Sequence, residues 1–168
     1  MPNIAAAQAP AWSATLRTPF AVLGIRTNGH SLTAVRYLSA DEPELPPSDR
    51  AAEQAVHEIE HYLADPQFRF AVAMAPKGTA FQHRVWDAIA AIPAGESRTY
   101  GELAKKLMSA PRAVGQACGS NPLALVIPCH RVVGSGGALG GFMHAAAGSP
   151  LGIKRWLLTH EGYRFGRD

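Results

Sequence analysis

The sequence predicts an α+β protein. A small N-terminal α/β domain, a β-hairpin or sheet plus a helix, packs on a mostly helical C-terminal domain with a helix-turn-helix. Three observations carry this. Two short apolar stretches flank Asn28-Gly29, a hairpin signal. One amphipathic helix follows them. Beyond Pro76-Lys77-Gly78, capping boxes and helical stripes replace strand alternation. That tripeptide sets the boundary, giving domains of residues 1–76 and 77–168.

The elements follow in order. Residues 20–26 and 32–38 are the two hairpin strands, and the acidic, Pro-rich stretch 41–49 is a loop. Asp49 caps a helix over 50–64, with Val56, Ile59, Tyr62 and Leu63 on one face; Pro66 stops it. Phe68, Phe70, Val72 and Met74 alternate at the strand period. Thr79 to Gln82 is a capping box opening a helix whose buried stripe is Phe81, Val85, Trp86 and Ile89; Pro93-Ala94-Gly95 breaks it. Thr99 to Glu102 is a second box, followed by Leu103, Ala104 and Leu107. Pro111 suits the first position of the next helix, which ends at Gly119. This pair is the helix-turn-helix. Leu123 to Ile127 reads as a buried run, and residues 134–148 hold six glycines. Ser149-Pro150 starts a last helix, with Ile153, Trp156 and Leu157 inward.

With 47% apolar residues in 168, the chain buries a core without staples. No apolar run reaches the length of a membrane span, and residues 1–14 lack the pattern of a signal peptide. The expected location is cytoplasmic. Cys118 and Cys129 are too few for a disulfide framework and are expected as free thiols. The net charge of +3 hides an asymmetry. Residues 1–75 hold five Lys/Arg against eight Asp/Glu, while residues 76–168 hold eleven against five. The second half is therefore the one expected to meet an anion.

Three constellations compete for chemistry. His57-Glu58-Ile59-Glu60-His61 fits the zinc-peptidase pattern H-E-x-x-H on a helix, with Glu58 activating water and His30 or His83 as a third ligand. The competing reading is an exposed helix face. The glycine-rich stretch from Gly134 to Gly141 is neither a P-loop nor a dinucleotide fingerprint, and reads as a turn lining a site. In Ile127-Pro128-Cys129-His130-Arg131-Val132, a thiol has an imidazole beside it and a cation next to that, the ingredients of an activated cysteine.

The third constellation belongs to a longer series. Phe81-Gln-His-Arg-Val-Trp, Tyr100-Gly-Glu-Leu-Ala, Arg112-Ala-Val-Gly, Asn121-Pro122, Pro128-Cys-His-Arg-Val and Trp156-Leu-Leu-Thr-His-Glu-Gly occur in that order. Residues 79–165 thereby resemble the O6-alkylguanine-DNA alkyltransferases, the methylated-DNA–protein-cysteine methyltransferases. The resemblance implies DNA repair by irreversible, single-use transfer of an alkyl group from O6 of a flipped-out guanine to Cys129. It implies that His130 takes the thiol proton through water, that Glu161 orients His130 and that Asn121 braces the turn. Tyr100 would protonate N3 of the leaving guanine. Arg112 would fill the gap left in the duplex. Thr99, Ala113, Gly115, Gln116, Ala117 and Arg131 would contact DNA, with small residues allowing close approach. Val132, Phe142, Met143 and His144 would line the alkyl pocket, and the bulk of the last two predicts poor use of benzylated bases. The implied partner is double-stranded DNA with alkylated guanine, bound by a monomer without cofactor or metal. Against the family pattern, the turn between Tyr100 and Arg112 is about two residues short and the 142–154 loop about five residues long. Two other readings stand beside this one: a non-enzymatic binder of alkylated DNA with the same fold, and the zinc peptidase.

Overall fold

The computed structural model describes residues 12–142 and 149–165. Strands β1 (Ala14–Arg17), β2 (Val22–Thr27) and β3 (Leu32–Leu38) form an antiparallel sheet in sequence order. The hairpin joins β2 and β3 as the Asn28-Gly29 signal predicts; Asn28 Oδ1 accepts from the backbone N–H groups of His30 and Ser31, holding the turn. Strand β1 had no predicted counterpart. Ala14, Val22, Leu23, Ile25, Leu32 and Val35 are buried. They pack against helix α1 (Arg50–Ala64), whose inward face is Ala51, Ala52, Ala55, Glu58, Ile59 and Tyr62. The predicted face was wider: Val56 and Leu63 are only half-buried. Asp49 caps α1, accepting from Ala52 N at 2.8 Å.

The predicted strand over Phe68 to Met74 does not form. Its backbone makes only an isolated bridge to β3, between Leu32 and Met74. The reason lies in Glu58. Its buried carboxylate accepts from Ala71 N at 3.1 Å and Val72 N at 2.9 Å, so these donors go to a side chain and not to a ladder. Val72 alone of the alternating set is fully buried, and Met74 points to solvent.

The second half is built on four helices among the described residues: α2 (Ala80–Ala90), α3 (Tyr100–Lys106), α4 (Pro111–Gly119) and α5 (Ser149–His160). Both predicted capping boxes are present, at Thr79/Gln82 and Thr99/Glu102. Helices α3 and α4 pack on each other, and Trp86 of α2 donates from Nε1 to Ala117 O of α4 at 2.9 Å. Short strands β4 (Arg98–Thr99) and β5 (Val132–Val133) pair in parallel. This pairing fastens the start of α3 beside the segment that follows Cys129. The two halves share one core. Backbone bonds from Val35 N to Pro122 O (2.9 Å) and from Ala124 N to Val35 O (3.1 Å) stitch β3 to the approach to Cys129. Among the described residues no helix is long and apolar enough to cross a membrane.

Candidate active site

Cys129 opens a single tight helical turn, Cys129–Arg131. The backbone leading to it folds back sharply. Leu125 takes a positive φ of 71°, an expensive conformation for a branched residue. Asn121 holds that turn: Oδ1 accepts from Leu123 N, and Nδ2 donates to Ile127 O, both at 2.9 Å. Nδ2 also reaches Cys129 Sγ at 3.2 Å. The thiol is buried. The adjacent Cys118 thiol, together with burial, pushes the Cys129 thiol up, while the Asn121 donor opposes the rise. The resting group is therefore a protonated thiol that needs a base.

The next residue is an imidazole. His130 is fully buried, with Nε2 at 2.7 Å from Glu161 Oε1. Burial lowers the His130 pKa, so the ring rests neutral. Burial alone would raise Glu161, but its hydrogen bonds and charge contacts with His130 and Arg131 bring it down to about 2. An ionised carboxylate on Nε2 places the ring proton there and leaves Nδ1 as the free base. His130 Nδ1 is buried and has no hydrogen-bond partner among the described residues. Glu161 stands just past α5, held by two residues besides His130. Arg131 donates through Nε to Oε2 at 3.0 Å and through Nη2 to Oε1 at 2.9 Å, and Tyr62 Oη donates to Oε1 at 2.8 Å.

A cavity of about 380 Å³ opens onto Cys129, with Tyr100, Arg112, Gly115, Cys118 and Phe142 in its walls. Tyr100 Oη donates to Gly141 O at 3.0 Å, and burial raises its pKa, so the phenol holds its proton. Gly140, at φ +70°, lies so near Tyr100 that a Cβ there would sit 3.1 Å from the ring. Lys154 of α5 is fully buried; Nζ donates to Val132 O at 2.7 Å and Gly141 O at 3.0 Å. Burial lowers its pKa to about 8.

Cys129, His130, Glu161, Asn121 and Tyr100 are thus brought to one place. Of the residues expected at DNA, Thr99 caps α3, Arg112 and Gln116 are exposed on α4, and Ala113 and Gly115 are half-buried. Two expectations are corrected. Ala117 faces the core, its carbonyl taken by Trp86, so it has no surface to offer. Arg131 is spent on Glu161 and on Ile92 O, at 2.6 Å through Nη1, and not on an outside anion. Val132 and Phe142 are buried, with Phe142 in the cavity wall; Met143 and His144 lie outside the described residues. Glu58, the general base of the zinc reading, is turned inward onto Ala71 and Val72, away from the exposed His57 and His61. Lys154 and Tyr62 were missed as site residues. Tyr62 shows in the sequence only as a core position, and nothing in the spacing of α5 marks Lys154. Cys118, expected only as a free thiol, shares the cavity.

A buried thiol followed by an imidazole–carboxylate pair, at the floor of an open cavity, defines a cysteine-nucleophile site. Comparison with known proteins narrows the class. The family model for the 6-O-methylguanine DNA methyltransferase DNA-binding domain matches residues 80–163. A methylated-DNA–protein-cysteine methyltransferase of Mycobacterium tuberculosis is 39% identical over 160 residues, 92% of this chain and 94% of that protein. One from Methanosarcina acetivorans is 47% identical over 111 residues, 65% of this chain and 68% of that protein. The crystal structure of Mycobacterium tuberculosis OGT in complex with DNA superposes with a TM-score of 0.75 at 38% identity, covering 88% of this chain and 90% of that one. The chain belongs to the methylated-DNA–protein-cysteine methyltransferase family.

Proposed function

We infer that this protein repairs alkylated duplex DNA by moving the alkyl group, methyl above all, from O6 of guanine to Cys129 Sγ, once per molecule. One observation carries the reading: the buried Cys129 thiol precedes a His130–Glu161 pair at the floor of a cavity rimmed by Tyr100 and Arg112. A buried acceptor cannot reach a stacked base, so the guanine must leave the helix, at a cost of a few kcal/mol. Residues 77–168 act as the DNA-reading domain, with α3 and α4 as the helix-turn-helix. Arg112, exposed at the start of α4, takes the place of the flipped base, and Ala113, Gly115 and Gln116 lie along the same approach. Residues 1–76 back the site. The DNA-bound Mycobacterium tuberculosis relative supports the choice of partner.

The geometry supports the following chemistry. The Cys129 proton passes through a bridging water to His130 Nδ1. Glu161, ionised and anchored by Arg131, stabilises the imidazolium that forms. The thiolate attacks the alkyl carbon, a carbon–sulfur bond forms, and the carbon–O6 bond breaks with its electron pair leaving on guanine. Tyr100 turns from Gly141 O to give its proton to N3. Lys154 and Asn121 hold the walls on either side. The thioether has no hydrolytic exit, so the molecule is consumed.

The test is intact-mass analysis after incubation with a duplex containing O6-methylguanine. One added methyl per molecule, mapped to Cys129 and absent in Cys129→Ala, is expected. Multiple turnover, or transfer that survives the substitution, overturns the reading.

A further inference from the structure

We propose that Tyr62, in the N-terminal half, is a positioning residue for alkyl transfer, acting through Glu161 on His130. This rests on the reading of His130 as the base. Tyr62 is buried on α1, 99 positions from its partner, and donates from Oη to Glu161 Oε1 at 2.8 Å. The acceptor atom matters. Oε1 is also the oxygen that meets His130 Nε2 at 2.7 Å and Arg131 Nη2 at 2.9 Å, whereas Oε2 takes Arg131 Nε. Three donors therefore share one oxygen, and the phenol competes with the imidazole for the same electron density.

That competition has two consequences. The first is geometric: Arg131 fixes the carboxylate from the edge and Tyr62 fixes it from the opposite half of the molecule, so Oε1 stays on Nε2. The tautomer with a bare Nδ1 is then the resting one. The second is electrostatic. A donor shared by Oε1 spreads its negative charge and keeps the His130 imidazolium from becoming too stable to return its proton. The charged and titratable groups around His130 and Glu161 are Arg131, Lys154, Tyr37 and Tyr62 itself, with His160 packed on the Tyr62 ring. Of these, Tyr62 is the neutral donor on the carboxylate. The ring has separate work, packing on Phe70 (5.9 Å between centroids) and on His160 (5.2 Å), so the hydroxyl can be removed without emptying the core.

The experiment is single-turnover methyl transfer from O6-methylguanine duplex across pH, on wild type and Tyr62→Phe, well below their unfolding temperatures. In the variant the plateau rate is expected to fall roughly threefold to tenfold, the net contribution of one ordinary hydrogen bond. The acid limb is expected to move up by roughly half a pH unit to one unit, because the unshared carboxylate holds the imidazolium more tightly. A purely structural tyrosine would lower stability and leave the acid limb in place, and that result overturns the proposal. Should Tyr62→Phe fail to fold, 3-fluorotyrosine placed at Tyr62 strengthens the donor and must move the acid limb down; no movement overturns the proposal as well. If wild type itself transfers no methyl group, the functional reading fails; if wild type transfers and both variants match it, only the role of Tyr62 fails.

Discussion

Tyr100 and Lys154 donate to one acceptor, the carbonyl oxygen of Gly141, each at 3.0 Å. The glycine-rich stretch is thereby pinned from α3 and α5 together. Lys154 also ties down Val132 O, so a single buried ammonium spans both strands of loop that border Cys129.

Lys154→Met separates positioning from stability. Burial already disfavours the ammonium, holding its pKa near 8, and Gly141 O keeps Tyr100 as a donor, so the apolar replacement costs mainly the partner of Val132 O, about 1–3 kcal/mol. The pocket wall loses its anchor, and transfer slows about tenfold or more. Denaturant unfolding and single-turnover kinetics on the same preparations check this. A large stability loss with normal kinetics contradicts it.

Asn121→Ala acts on the thiol. The amide opposes the rise of the Cys129 pKa, so removing it raises the thiol further. The pH at which iodoacetamide labels Cys129 half-maximally should move in the alkaline direction. Leu123 N loses its partner and Ile127 O keeps only Cys129 N, which costs about 1–3 kcal/mol in unfolding. Unchanged labelling with that loss of stability would leave Asn121 as a turn residue alone.

Acid stability follows from Glu161. Its folded pKa of about 2 lies below the ordinary 4.5, so its contribution is complete above 4.5 and is lost as pH falls through 2. His130 has the same sign: its lowered pKa means stability is complete above the ordinary 6.5 and declines on acidification. Chemical unfolding measured across pH should show falling stability in both windows. In Glu161→Gln the slope between 4.5 and 2 should flatten. Parallel curves for the two proteins would refute the assignment.

The sequence and the structure agree where local chemistry decides. Asp49, the two capping boxes and Pro111 mark helix starts through short-range hydrogen bonds and fixed backbone angles, and all four starts are found there. Cys129, His130 and Asn121 lie close in sequence, so their grouping is legible from a motif. Glu58 is different. Its acidic side chain reads as solvent-facing or catalytic, and only tertiary packing shows it replacing a strand ladder at Ala71 and Val72. Lys154 is illegible for a related reason. A lysine between Ile153 and Arg155 looks like surface, and its burial is offset by two carbonyls that come from distant loops. Arg131 sits in a basic half, yet its charge is consumed inside.

Glu58→Ala therefore tests folding and not metal chemistry. Two backbone donors lose a buried acceptor, and stability should drop by about 1–3 kcal/mol. Methyl transfer per folded molecule should stay at the wild-type rate, as it should in His57→Ala and His61→Ala. Dependence of any activity on His57 and His61 together with bound zinc would reinstate the peptidase reading.

Arg112 is the residue proposed to fill the duplex as the base leaves. It is exposed, lies at the cavity rim, and forms no ion pair among the described residues. Replacing it by Ala should change stability by less than about 0.5 kcal/mol. If its side chain fills the vacated stack, Arg112→Ala slows transfer from methylated duplex about tenfold or more, and leaves transfer from the free base O6-methylguanine unchanged, since nothing need be extruded. A mere phosphate contact behaves otherwise. Its loss weakens binding to every duplex alike, lowers the salt dependence of binding by about one counterion, and spares the rate at saturating DNA. Single-turnover rates at saturating duplex, beside the free-base rate, separate the two, and a saturating rate equal to wild type would remove Arg112 from the extrusion step.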